Sequence, residues 1–369
     1  MSVATEQTEY QQPEQFDFFV ASLVPDLPLK DQRESMERPF FSLAKRKRLK
    51  PIDYTSPAGV YVRVTADAEY GMATIWDADV LIWAASQIQH LKRQGINDLP
   101  RTLKFQAYDL LKVIGRPTGG RNYHLLREAL GRLQATTIAT NIRSGRRNRH
   151  RQFSWIDSWD DFVDPRTRKS KGMSLTLSDW FYEGVVMKGG LLSIDPAYFR
   201  ITGGRERWLY RVARKHAGGA GEEGFAISFP VLYEKSGSEG SYRRFKYEML
   251  ALVQRDAMPG YELVLEIAGG EPSLLMTRRD GAIPRDSRAP PTRGRTQAVA
   301  GELPLFPATR LDGDMIDRFR SLYPAWDVHG IQAEFDAWIA KAPAKRRPQD
   351  YQKAFLGFAK TFIERRSRS

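Results

Sequence analysis

LKFQAYDLLKVIG (Leu103 to Gly115), followed after a turn by NYHLLREALGRL (Asn122 to Leu133), decides the fold, because the chain carries this pattern twice. FAISFPVLYEKSG (Phe225 to Gly237) and SYRRFKYEMLALV (Ser241 to Val253) form the second copy. At an offset of 122, Leu103 matches Phe225, Phe105 matches Ile227, Leu110 matches Leu232 and Gly115 matches Gly237. At an offset of 119, Tyr123 matches Tyr242, Leu126 matches Phe245, Leu130 matches Met249 and Leu133 matches Leu252. The change of offset is a three-residue deletion in the turn, where length changes cost least. Two helices joined by a Gly-containing turn are the frame that lays a second helix into the major groove of DNA. Two such frames suit a long duplex site.

Outward from the first copy, TTIATNIR (Thr136 to Arg143) and QFSWIDSW (Gln152 to Trp159) read as a hairpin with SGRRNRHR as its turn. MSLTLSDW (Met173 to Trp180) adds a third extended run. Two helices followed by a hairpin describe a winged helix, the hairpin being the wing. The second copy is preceded by a helical ERWLYRVARKHAG (Glu206 to Gly218) and followed by YELVLEI (Tyr261 to Ile267) and SLLMTRR (Ser273 to Arg279) as its wing. Upstream, VYVRVT (Val60 to Thr65) alternates like a strand. DADVLIWAASQIQHLKR (Asp77 to Arg93) has helical period and an acidic first turn, favourable to the helix dipole. The expected class is α+β, with two tandem winged-helix domains at residues 36–190 and 191–280. A disordered acidic tail (1–35) precedes them, and a Pro-, Gly- and Arg-containing linker (281–308) joins them to an all-helical C-terminal module (309–369). That module's apolar positions are Phe319, Leu322, Tyr323, Phe335, Trp338, Ile339, Phe355, Phe358 and Phe362.

Charge narrows the partners. The 369 residues carry a net +13, yet residues 1–40 hold a net −5, so the remainder carries +18, mostly as Arg. That surplus suits a polyanion, because each contacted phosphate releases bound counterions. The chain has no cysteine, which excludes disulfides and thiolate metal sites and fits a reducing cytosol. VLIWAA (Val80 to Ala85) is the longest strongly apolar run and is too short to span a bilayer. The acidic, polar start lacks the form of a signal peptide.

The candidate DNA-contacting residues follow from helical geometry. In the second copy Tyr242, Phe245, Met249 and Leu252 fall on one arc and form the buried face. Arg243, Arg244 and Tyr247 project oppositely, Lys246 lies on the flank, and Ser241 opens the helix. Arg bridges guanine O6 and N7 with two parallel hydrogen bonds, and the N-terminal part of such a helix meets base edges. In the first copy Asn122, His124, Arg127 and Arg132 are candidates, with Arg116 and Arg121 in the turn as phosphate clamps. Glu128 on that face repels phosphate. RSGRRNRHR (Arg143 to Arg151) supplies Arg146, Arg147, Arg149 and Arg151 as backbone-riding wing residues, and the second wing supplies Arg278 and Arg279. The bland alternatives are a solvated basic face, a dimerisation module, and a charged loop with no ligand.

Two motifs lie outside the repeat. ELPLF (Glu302 to Phe306) resembles the short clamp-binding peptide of bacterial replication proteins, with Glu302 where that peptide has Gln. Leu303, Leu305 and Phe306 would fill apolar pockets of a sliding clamp, or else fold back on the C-terminal module. From Ala340 to Ser369 nine Lys/Arg face only Asp350 and Glu364, interleaved with aromatics that suit single-strand stacking or, more often, a core. Enzyme signatures are wanting. No G-x-x-x-x-G-K-[S/T] occurs, and the five His (90, 124, 150, 216, 329) form no closely spaced pair. Asp77 and Asp79 read as helix capping, and Asp312 and Asp314 as a solvated helix start. No cofactor and no metal are expected. A primase or nicking nuclease would rest only on the basic surface and scattered acids.

SMERPFFSLAKR (Ser35 to Arg46), the first helix pair, FSWIDSW (Phe153 to Trp159), LTLSDWFYEGV (Leu175 to Val185), RWLYRVARKHAG (Arg207 to Gly218) and LYEKSGS (Leu232 to Ser238) together resemble the plasmid replication initiator protein A family. The resemblance covers roughly residues 35–280. It implies two tandem winged helices on repeated origin DNA, and recruitment of the host initiator and replicative helicase without catalysis. It also implies a homodimer interface on the first unit. The alternative is a winged-helix autorepressor without initiator activity.

Overall fold

The computed structural model describes residues 27–143, 150–167, 170–267, 271–279, 311, 313–323, 326, 328–341 and 351–366. The described residues begin with β1 (Lys30–Gln32), β2 (Ile52–Thr55) and β3 (Tyr61–Thr65). Helix α1 (Ala78–Arg93) comes next, then β4 (Thr102–Phe105), α2 (Ala107–Val113) and α3 (Gly120–Ala135). Strands β5 (Thr137–Thr140), β6 (Arg151–Phe153), β7 (Ile156–Val163) and β8 (Ser170–Leu177) lead to α4 (Asp179–Val186) and β9 (Leu191–Ser193). Helix α5 (Gly204–His216) precedes β10 (Phe225–Ser228), α6 (Phe229–Ser236), α7 (Tyr242–Arg255), β11 (Tyr261–Glu266) and β12 (Ser273–Arg278). The class is α+β.

The duplication is deeper than two helices. Each copy is a strand, two helices and a hairpin, and in each the strand pairs with the second hairpin strand, giving the sheet orders β4-β8-β7 and β10-β12-β11. The aligned positions coincide in burial. Phe105 and Ile227, Leu110 and Leu232, Leu126 and Phe245, Leu130 and Met249, and Leu133 and Leu252 are all buried. Gly115 and Gly237 both end the first helix with positive φ, at 67° and 60°. Leu103 to Phe105 and Phe225 to Ser228 are strands, however, not the start of the first helix. Their burial alternates with period two, as at Thr102–Phe105 where Leu103 and Phe105 alone point inward.

The first wing also differs from its sequence reading. β5 and β6 belong to a separate antiparallel sheet, ordered β2-β3-β5-β6, inserted between α3 and the hairpin. The hairpin joined to β4 is β7 with β8, so β5 and β6, read as the wing strands, are not the hairpin that closes on β4. Two successive hairpins follow α3, and hydropathy cannot say which of them closes on β4.

Residues 27–35 lie in the fold and not in a tail. β1 pairs antiparallel with β9, Leu27 and Leu29 are buried, and Lys30 N–H donates to Ser86 Oγ on α1 at 2.8 Å. Helix α1 is buried on every side from Ala78 to Ile88, its polar Asp79, Ser86 and Gln87 included. Around it Phe41 stacks on Trp155 at 4.6 Å and Phe153 on Trp180 at 4.5 Å, joining three of the motif segments into one aromatic core. Among the described residues the C-terminal module has three helices, α8 (Gly313–Leu322), α9 (Val328–Lys341) and α10 (Tyr351–Arg366), packed through Phe319, Phe335 and Phe355. Leu322 and Trp338, read as core, are exposed.

Candidate nucleic-acid interface

Helix α7 sorts its side chains as its sequence period requires. Ser241 Oγ caps the helix by accepting from Arg244 N–H at 3.4 Å, satisfying one of the first-turn donors. Phe245, Met249 and Leu252 are buried and Tyr242 is half-buried, its ring 5.5 Å from that of Tyr233 on α6. Arg243, Arg244 and Tyr247 face solvent, and Tyr247 is 74% exposed, far beyond what a core-packing aromatic leaves open. Arg244 Nε pairs with Glu248 at 2.8 Å, and Glu248 also takes Arg205. Arg243 has no ion-pair partner among the described residues.

The second hairpin is tied to this helix by an acid the sequence reading passed over. Glu271, beside the hairpin tip, accepts from Tyr242 Oη at 2.6 Å and from Lys246 Nζ at 3.0 Å. Burial, then the hydrogen bond to Glu271, pushes the Tyr242 phenol up to about 12, and that same bond lowers the Glu271 carboxyl. Lys246 is therefore a tether between helix and hairpin as much as a surface charge. Arg279 donates to Tyr261 O at 3.1 Å and pairs with Asp256 at 2.6 Å, which fixes the base of the hairpin, while Arg278 is half-buried.

The first unit departs further from expectation. On α3, Arg121, His124 and Glu128 are exposed, with His124 Nε2 3.9 Å from Glu128, and Asn122 is half-exposed. Arg132 does not face outward. Its guanidinium grips both carboxylate oxygens of buried Asp77 at 2.8 Å, and these hydrogen bonds raise it further while burial opposes them. Arg127 donates from Nε to Asp161 on β7 at 2.7 Å, locking helix to hairpin. Arg116 is not an open phosphate clamp, since it donates to Trp76 O at 2.7 Å and to Asp79 at 2.9 Å. Arg151 is paired with Glu183. In each case local sequence pattern leaves the Arg on the surface, and an acid from a distant element reaches it. Arg146, Arg147 and Arg149 lie outside the described residues, as do Leu303, Leu305 and Phe306 of the linker.

Asp77 and Asp79 are likewise not simple caps. Asp77 Oδ2 accepts from Thr74 N–H at 2.7 Å besides holding Arg132, and Asp79 is enclosed by Arg116 and Arg207. Both carboxylates are spent on arginine. Among the described residues no group of three or more His, Asp or Glu is arranged to hold a metal ion, and no helix is long and apolar enough to cross a membrane.

The arrangement offers two outward helix faces on similar scaffolds, the second the more cationic. Comparison with known proteins follows the same span. The family Replication initiator protein A matches residues 30–263. A relative from Wigglesworthia glossinidia brevipalpis, named "Putative replication protein", is 32% identical over 250 residues, covering 67% of this chain and 88% of its own. Crystal structures of domains 2 and 3 of RctB superpose with TM-scores of 0.47 and 0.44 at 12% and 13% identity. Each covers 65% of this chain, and 94% and 95% of the RctB chains are matched.

Proposed function

We propose, from the premise that this chain belongs to the Replication initiator protein A family, that it starts replication by gripping repeated origin DNA with two winged helices. The observation that carries this reading is α7, with Arg243 and Arg244 turned out at its capped N-terminus over a buried Phe245–Met249–Leu252 stripe. In this reading α7 enters one major groove and its first residues read base edges. The α3 face takes a neighbouring groove about one turn away, with Arg121 and His124 at its mouth. Arg146, Arg147 and Arg149 ride the phosphate backbone, adding affinity without sequence information. The protein works without chemistry of its own. It bends the duplex and recruits the host initiator and replicative helicase, with ELPLF as a further contact for a sliding clamp.

The direct test is binding of the full chain to its cognate repeats against scrambled duplexes of equal length. Equal affinity for the two would refute specific readout. A plasmid-maintenance assay in a host lacking other initiators separates this reading from an autorepressor, which would bind its promoter and sustain no replication.

A further inference from the structure

The run KRKRLK (Lys45 to Lys50), five cations without an acid, leads into β2 in the first unit. The fold seats it on the turn between α6 and α7 of the second unit. Arg48 is withdrawn from solvent to make the joint: it donates to Gly237 O at 2.7 Å and to Lys50 O at 3.0 Å. Pro39 presses on Gly237 so closely that a Cβ there would lie 2.6 Å from Pro39 Cβ. Arg46 reaches Glu239 at 2.9 Å, two residues before the Ser241 cap of α7. The backbone of the run is held as well, Met72 N–H donating to Arg48 O at 2.9 Å.

The other cations face mostly neutral groups, with the Asp67 carboxylate near Lys47. Lys47 lays its stem on Gly71 and donates to Glu69 O at 2.6 Å. Lys45 sits 5.2 Å over the Trp76 ring, and Lys50 is exposed. Glu239 pairs with Arg46 and Arg48 and Asp67 lies near Lys47, so five cations against these two acids leave a net positive charge on a ledge beside the start of α7. When a second helix reads a groove, the elements that precede it cross the sugar-phosphate backbone. A cationic ledge docked on that turn therefore meets phosphate without further ordering of the chain, which lowers the entropic cost of contact.

We infer that Lys45, Lys47 and Lys50 form a phosphate-binding ledge that extends the α7 site, one unit supplying the backbone grip for the helix of the other. This rests on the reading of α7 as a duplex-binding helix. The ligand is the phosphodiester backbone flanking the base pairs that Arg243 faces, not the bases.

The test uses the full chain with Lys45→Gln, Lys47→Gln and Lys50→Gln combined, since Gln keeps much of each stem. Binding to a cognate-repeat duplex is followed by fluorescence anisotropy across a KCl series. The slope of log affinity against log salt should flatten by about 0.9 for each phosphate contact removed, with the cognate-to-scrambled ratio unchanged. Lys188→Gln, on the exposed turn after α4, should leave the slope alone. Because the chain has no cysteine, Lys47→Cys carries a single iron-chelate tether. Cleavage should fall on the backbone just beside the repeat positions read by α7. An unchanged slope in the triple variant, or cleavage absent or spread evenly along the duplex, would overturn the ledge. Loss of discrimination by the unmodified protein would instead remove the α7 reading, and it is seen before any variant is made.

Discussion

Arg207 Nη1 lies 2.7 Å from Asp79 Oδ1, with both side chains withdrawn from solvent and 128 positions between them. The contact joins α1 of the first unit to α5 of the second, and Arg116 takes the other Asp79 oxygen at 2.9 Å. It has companions. Arg211 holds Asp31 at 2.6 Å, and Lys215, His216 and Lys235 converge on Glu37 at 2.6–2.7 Å. Each acid comes from the first 80 residues, and most of the bases come from α5. The two units are therefore fastened together, and the relative setting of α3 and α7 follows from these pairs.

Replacing Asp79 with Asn should show this directly. Removing one member of a buried ion pair leaves charge without compensation, and here two guanidiniums lose their partner. The expected destabilisation is about 3–5 kcal/mol. Chemical denaturation followed separately by hydrogen exchange in α1 and α5 should show both helices losing protection together. Loss in one unit alone would mean that the units fold independently.

Acid should loosen the Glu37 end of the seam in two steps. Burial lowers the His216 imidazole from its ordinary 6.5, more than Glu37 raises it, so the folded state resists a proton that the unfolded chain accepts. Stability is then fully present above about 6.5 and falls as pH drops below it. For Glu37, burial alone would raise the carboxyl. The charges of Lys215, Lys235, His216 and Arg38 override it and hold the group well below its ordinary 4.5, so a second loss begins near that value. His216→Gln should flatten the upper step by up to about 1.4 kcal/mol per pH unit. An unaltered slope between pH 6.5 and 5 would contradict this.

The paired turn glycines should separate. Gly115 and Gly237 hold the same left-handed conformation, but a Cβ at Gly115 meets only Phe199 at 3.9 Å, whereas one at Gly237 strikes Pro39 at 2.6 Å. Gly115→Ala should cost about 1 kcal/mol of backbone strain, and Gly237→Ala about 2–3 kcal/mol. Thermal melts of the two variants give the order, and equal losses would deny that Gly237 is pressed by the N-terminal segment.

Arg132 and Arg121 lie on one helix and should behave oppositely. Arg132→Ala strands buried Asp77 and should destabilise by about 3 kcal/mol, leaving duplex affinity unchanged well below the melting temperature. Arg121→Ala should leave the melt alone and weaken all duplexes alike. The reverse pattern would restore Arg132 as a DNA contact.

These arginines mark how far the sequence reaches. The repeat, the buried stripe of α7 and the outward Arg243 follow from a 3.6-residue period, and local period survives folding. What period cannot supply is the partner. Arg116, Arg127 and Arg132 read as outward cations and are claimed by Asp79, Asp161 and Asp77 from elements 34 to 55 residues away. RWLYRVARKHAG reads as a helix with basic side chains, yet Arg207 is the buried counter-charge of Asp79 on α1, and Arg211 that of Asp31 in a segment that reads as an acidic tail. Part of the chain's charge asymmetry is thus internal. Strand pairing was equally hidden, since nothing local marks β7 and β8, rather than β5 and β6, as the partners of β4.

The central claim is that α7 reads bases through Arg243. The decisive measurement is the affinity of Arg243→Ala for the cognate repeat and for every single-base-pair variant of it, at fixed salt. The account predicts a loss of about 1–3 kcal/mol at one base pair, with that position becoming indifferent to sequence and the others unaffected. A uniform loss across all variants, or none, would contradict it.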